Sequence, residues 1–154
     1  MYSSVMHKIL GVILVGLAAV ASEVAVAADD EVRLKPFILG TAPGGNREQA
    51  VTTVKAALRA QGFEEAGSYS PYAGATVIVV TSPELKAAAA SAKHGGFGAG
   101  QRVAVTDYKG KLQVSYMNPA YIGSAYGLGK LETVSGKLKA ALGALAVHGM
   151  TLGA

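Results

Sequence analysis

Arg102–Pro119 reads RVAVTDYKGKLQVSYMNP, and the fold class turns on it. Two runs, Arg102 to Tyr108 and Lys111 to Tyr116, alternate apolar with polar residues and flank Lys109-Gly110. A period of two marks a half-buried strand, and a two-residue link containing glycine marks an antiparallel hairpin. The same period puts Leu112, Val114 and Tyr116 on one face and Gln113, Ser115 and Met117 on the other. Asn118 precedes Pro119, which drives the Asn backbone toward an extended conformation and aims its side chain consistently. Such a corner serves a plain turn and a ligand rim equally well.

Upstream of the hairpin, Val32, Leu34, Phe37, Ile38 and Leu39 predict a first strand, kinked or at an edge because of Pro36. Ala50, Val51, Val54, Ala57 and Leu58 recur at helical spacing, so Arg47 to Gln61 reads as a helix with Asn46 as its N-cap and Gly62 as its stop. Phe63 to Tyr72 mixes polar and aromatic residues, and Glu64-Glu65 within it fall on opposite sides of an expected strand. Ala75 to Thr81 is a continuous apolar run, the mark of a buried strand. Ser82-Pro83-Glu84 has the order of a helix start, and Leu85 to Lys93 follows as a short helix. A further short helix is expected around Tyr121 and Tyr126. Downstream, Leu131, Val134, Leu138, Ala141, Leu142 and Leu145 predict one amphipathic helix over Leu131 to Val147. Strands linked mostly by hairpins, with a long helix before and another after them, point to an α+β fold. Its two layers are a mostly antiparallel sheet and helices covering one face.

The first 27 residues are set apart from this fold. A weakly positive start, the apolar run Ile9 to Ala21, and Ala25-Val26-Ala27 have the form of a cleaved export signal. Ser22-Glu23 interrupts the apolar run before it reaches the roughly 20 residues of a membrane span. Processing near Ala27 leaves residues 28–154, expected to be a single small α+β domain, periplasmic or secreted, with no membrane span. The chain has no cysteine, which excludes disulfides and a lipid on an N-terminal Cys, so its core must hold it together. It ends in GMTLGA, without charge, an ending compatible with a further segment.

Charge narrows the partners. The net charge is +4, and removing the leader leaves it unchanged because Lys8 and Glu23 cancel. The basic residues are dispersed with no run beyond the Lys109–Lys111 turn, so there is no stripe for nucleic acid. The excess fits solubility and weak attraction to anionic surfaces.

The chemistry-bearing motifs are sparse. Lys93 to Gly100, KHGGFGAG, precedes a strand and lacks the Gly-Lys-Ser/Thr ending and following helix of a phosphate loop, so it reads as a connection. Gly44-Gly45-Asn46 before the first long helix is likewise no nucleotide fingerprint. No nucleophile has a neighbouring His and orienting acid in a known spacing, so no catalytic residue is assigned. Asp107 sits by the hairpin turn and is read as turn chemistry. Past the leader only His94 and His148 remain as imidazoles, with Met117 and Met150 as soft donors. This is too thin a set for a copper centre, so neither a metal nor another cofactor is assigned. The polar groups near the hairpin end and the glycine loop are the candidate ligand contacts: Tyr116, Asn118, Tyr121, His94 and Arg102.

The segments SYSPYAGATVIVVTSPEL and RVAVTDYKGKLQVSYMNPAYI, with a helix before and another after, resemble the domain-of-unknown-function 302 family over roughly residues 37–145. The most specific piece is Tyr116-Met117-Asn118-Pro119 followed by Tyr121, where the family usually carries Tyr-Asn-Asp-Pro. Met117-Asn118 departs from Asn-Asp, and Thr81-Ser82-Pro83 stands where the family often has Gly-Asn-Pro. The resemblance implies a small α+β fold, often paired as a homodimer, and no established activity. The expected function is an exported binding or accessory protein, with a small molecule or another envelope protein as partner. The alternatives are an enzyme with a site completed across a dimer and a purely structural module.

Overall fold

A computed structural model describes residues 34–149; the leader, Val32 and Met150 lie outside the described residues. Within them six strands form one antiparallel sheet: β1 (Phe37–Gly40), β2 (Glu64–Tyr69), β3 (Ala75–Thr81), β4 (Gln101–Tyr108), β5 (Lys111–Met117) and β6 (Ala146–His148), in the order β2-β3-β4-β5-β1-β6. Among the described residues four helices accompany them: α1 (Arg47–Ala60), α2 (Pro83–Ser91), α3 (Pro119–Tyr126) and α4 (Glu132–Leu142), with a 3-10 turn at Gly95–Gly98. The α+β class is as expected. None of the described helices is long and apolar enough to cross a membrane.

The hairpin closes as its sequence dictates. Lys109 and Gly110 both have positive φ, 50° and 75°, the twist that lets a two-residue link join right-twisted strands. This turn pairs Tyr108 with Lys111, Val105 with Val114 and Val103 with Tyr116. Register then sorts the faces. Ile38, Ile78, Val80, Val103, Val105 and Val114 point to one side and are buried there with Tyr116. Against them pack Ala50, Val54 and Leu58 of α1, Leu85 of α2, and Val134, Leu138 and Leu142 of α4. This shared core holds the sheet and helices together, since each buried aliphatic side chain contributes about 1.5–3 kcal/mol of transfer free energy.

Local signals start the helices. Asn46 accepts from the Gln49 amide while Gln49 reaches back to the Asn46 amide, a complete capping box. Ser82 caps α2 by accepting from the Leu85 N–H, with Pro83 at the first helical position.

Three boundaries differ from expectation. β1 begins only at Phe37, because Pro36 has no N–H to add to a ladder; its carbonyl instead accepts from the Asn118 N–H at 2.8 Å. Phe63 is buried, while β2 begins at Glu64 and is exposed throughout, with a bulge between Glu65 and Gly67. The helix expected over Leu131 to Val147 stops at Leu142. Gly143, at φ 74°, turns the chain away, and Ala146–His148 becomes β6 on the free side of β1. Leu145, expected on the apolar helix face, is consequently 70% exposed.

Candidate functional site

The end of β5 is a built corner. Tyr116 is 2% exposed on the helix-covered side, and its hydroxyl donates to the Gly143 carbonyl at 2.8 Å. Burial raises the Tyr116 hydroxyl above its ordinary pKa of 10.0, because the phenolate would lose its hydration. Two residues on, Asn118 uses both ends of its amide. Its Nδ2 donates to the Lys35 carbonyl at 2.9 Å and its Oδ1 accepts from the Ala120 N–H at 3.1 Å. It thereby caps α3, with Pro119 at the first helical position. These bonds join the segment before β1, the exit of β5 and the start of α3.

The remaining candidate residues take separate positions. Tyr121 lies in the first turn of α3 and is half-buried. Arg102 projects from the opposite sheet face, where it pairs in register with Val79, and is exposed. His94 is exposed on the approach to the 3-10 turn and makes no capping bond. Tyr116, Asn118 and Tyr121 thus share the corner, while Arg102 and His94 do not join it. Tyr126 turns instead to Phe97, with ring centroids 5.8 Å apart in a stacked arrangement. Asp107, by the hairpin turn, accepts from Arg47 at 3.3 Å and so ties the turn to the start of α1. Glu64 and Glu65 face different helices: Lys86 of α2 meets the first and Lys55 of α1 the second, each at 2.7 Å.

Beyond the corner, the molecule opens into an open groove of about 830 Å³ between α3 and α4. Ala120, Gly123 and Ser124 form one wall, and Ser135, Gly136 and Lys139 the other. Gly127, Gly129 and Lys130 close one end, while Glu132 and Leu34 also border it. Small side chains make this space. Gly123 also permits the close approach of the α3–α4 link, since a Cβ there would overlap the Gly129 carbonyl. The surface inside is largely apolar, and the charges at its border are Lys130, Lys139 and Glu132, a net excess of one positive charge. An arrangement of this kind accepts an apolar body and orients an anionic end by its lysines.

None of these groove residues stands out in the sequence, because glycine and serine at these spacings read as helix interruptions and loop. A hint was present in the density of glycine from Gly123 to Gly136, which bulky side chains would have filled. Gln101 also carried no signal: it is fully buried at the start of β4, and its side-chain amide has no hydrogen-bond partner among the described residues. No three His, Asp or Glu side chains converge as metal ligands among the described residues. Compared with known proteins, the chain matches no family model and no curated protein.

Proposed function

We propose that the chain is an exported binding or accessory protein whose binding surface is the α3–α4 groove at the exit of the hairpin. The observation that carries the reading is the groove itself: about 830 Å³ of mostly apolar surface, bordered by two lysines and one glutamate. Large apolar concavities with a few oriented polar groups are the usual form of small-molecule sites. The chemistry favours an elongated apolar ligand with one carboxylate. Asn118 serves this site indirectly by capping the start of α3, and Tyr116 by bonding to Gly143 at the end of α4. Export through the leader, and kinship with the domain-of-unknown-function 302 family on the residues quoted above, belong to the same proposal.

Gly136 offers the test. A Cβ at this position meets no atom within 4 Å, so a side chain there can enter the groove without displacing the fold. A fluorescent long-chain fatty acid titrated into the purified chain is expected to bind saturably. Gly136→Phe is expected to weaken that binding at least about tenfold, since a bulky side chain removes the space the ligand needs. Its melting temperature should be equal or higher, because glycine inside a helix is worth about 0.5–1 kcal/mol less than residues with a side chain. No binding by the parent chain, or equal binding by both, would reject the groove.

A further inference from the structure

Among the described residues, α1, α2 and α4 pack on one side of the sheet. Register carries the other face across all six strands: one row runs Val79, Arg102, Met117, Phe37 and His148, and the next runs Tyr69, Val77, Ala104, Ser115, Leu39 and Ala146. None of these residues belongs to the buried core built with α1, α2 and α4. Phe37 is 48% exposed, Tyr69 52% and Tyr108, at the hairpin end of the same face, 59%. These rings stand among the partly exposed Val77, Val79, Ala104 and Leu39, so the fold leaves apolar side chains on this face for a partner to cover.

Its charge identifies the partner. Arg102 and Lys111 stand exposed on this face, and neither takes part in the four ion pairs among the described residues. Lys109 adds a third cation at the hairpin end, its Nζ 5.3 Å from the centre of the Tyr108 ring. Among the described residues, the carboxylate at the border is Glu64, opposite Thr81, and Lys86 holds it at 2.7 Å. The face therefore combines apolar side chains, tyrosines and cations that enter no ion pair among the described residues. Tyrosine favours the boundary between hydrocarbon and water, where its ring is buried and its hydroxyl stays wet. Lys and Arg near an anionic leaflet are attracted by the phosphates. A second copy of this chain would present the same excess of positive charge, and an uncharged partner would leave the cations unused.

We propose that this open sheet face docks on anionic lipid surfaces, with Phe37, Tyr69 and Tyr108 entering the head-group layer and Arg102 and Lys111 meeting lipid phosphates. This is peripheral attachment, independent of the α3–α4 groove. The face suits attachment by its rigidity, since side chains held in register on a sheet lose little further freedom on binding.

The test compares sedimentation of the chain, purified from the periplasm of an exporting host, with vesicles of phosphatidylglycerol and phosphatidylcholine in equal parts and with vesicles of phosphatidylcholine alone. The parent chain is expected to partition on the order of tenfold more strongly to the anionic vesicles, and added salt should reduce the difference. R102E/K111E should lose about tenfold or more in partition to anionic vesicles while melting like the parent, whereas Gly136→Phe should partition normally. Any uncleaved leader is common to all three proteins, so the comparison still reads the face. The proposal is overturned by absent or equal binding to the two vesicle types, or by an R102E/K111E chain that sediments like the parent. It is equally overturned if the parent ignores vesicles while this face closes a dimer or captures a single-stranded oligonucleotide.

Discussion

Tyr116 shows how one side chain serves two ends of the chain. Its ring fills the core beside Val103 and Ile38, and its hydroxyl reaches Gly143, the residue that ends α4. Tyr116→Phe keeps the ring and removes one hydrogen bond, so chemical denaturation should show a loss of about 1 kcal/mol. The pH dependence follows from the raised hydroxyl pKa. Above the unfolded value near 10.0 the unfolded chain loses this proton while the folded chain retains it, so folding weakens as pH rises through that value and toward the folded one. Below it the contribution is complete. Tyr116→Phe should therefore unfold with a shallower alkaline limb than the parent. An unchanged limb would mean that the hydroxyl ionises as easily folded as unfolded.

Among elements, the short helix α2 is pinned by one contact that its weak apolar face would not supply. Lys137 of α4 bonds to Glu84 in the first turn of α2. That bond, followed by backbone and Ser82 hydrogen bonds, lowers the Glu84 carboxyl from 4.5 to about 2. A lowered folded pKa means stability that is complete above 4.5 and lost as pH falls from there toward about 2. Glu84→Gln should flatten the acid limb of thermal unfolding over that interval, while leaving the alkaline limb set by Tyr116 in place. The carboxylate also lies at the positive N-terminus of α2, which works in the same direction.

For the whole molecule, strand order sets the ranking of local stability. β3, β4 and β5 have neighbours on both sides and supply Ile78, Val80, Val103, Val105 and Val114 to the core. β2 and β6 are the two edges, and every residue in each is exposed. Native-state hydrogen exchange, resolved by residue, should show slowest exchange in the central strands and fastest in β6. Uniform protection across all six strands would contradict this ranking.

Much of this architecture is written locally. The Lys109-Gly110 turn, the capping box at Asn46 and the Ser-Pro-Glu start of α2 each act within a few residues, so the sequence contains their whole cause. The core faces of α1 and β5 are equally legible, because burial follows the periods 3.6 and 2. Legibility fails where partners are distant. Ala146–His148 continues an apolar helical pattern, and only the turn at Gly143 and the free edge of β1 convert it into a strand. The groove is likewise a property of two helices: Gly123 and Gly136 mean little until α3 and α4 face each other.

The sequence by itself determined the α+β class, the hairpin, the starts of α1 and α2 and which side of β5 is apolar, since these depend on contacts between near neighbours. Tertiary structure alone decided that β1 lies between β5 and β6, that the corner and Arg102 point to opposite sides of the sheet, and that small residues from two helices enclose a groove. Those outcomes depend on segments far apart in the chain, and no local pattern carries the free energy of their meeting.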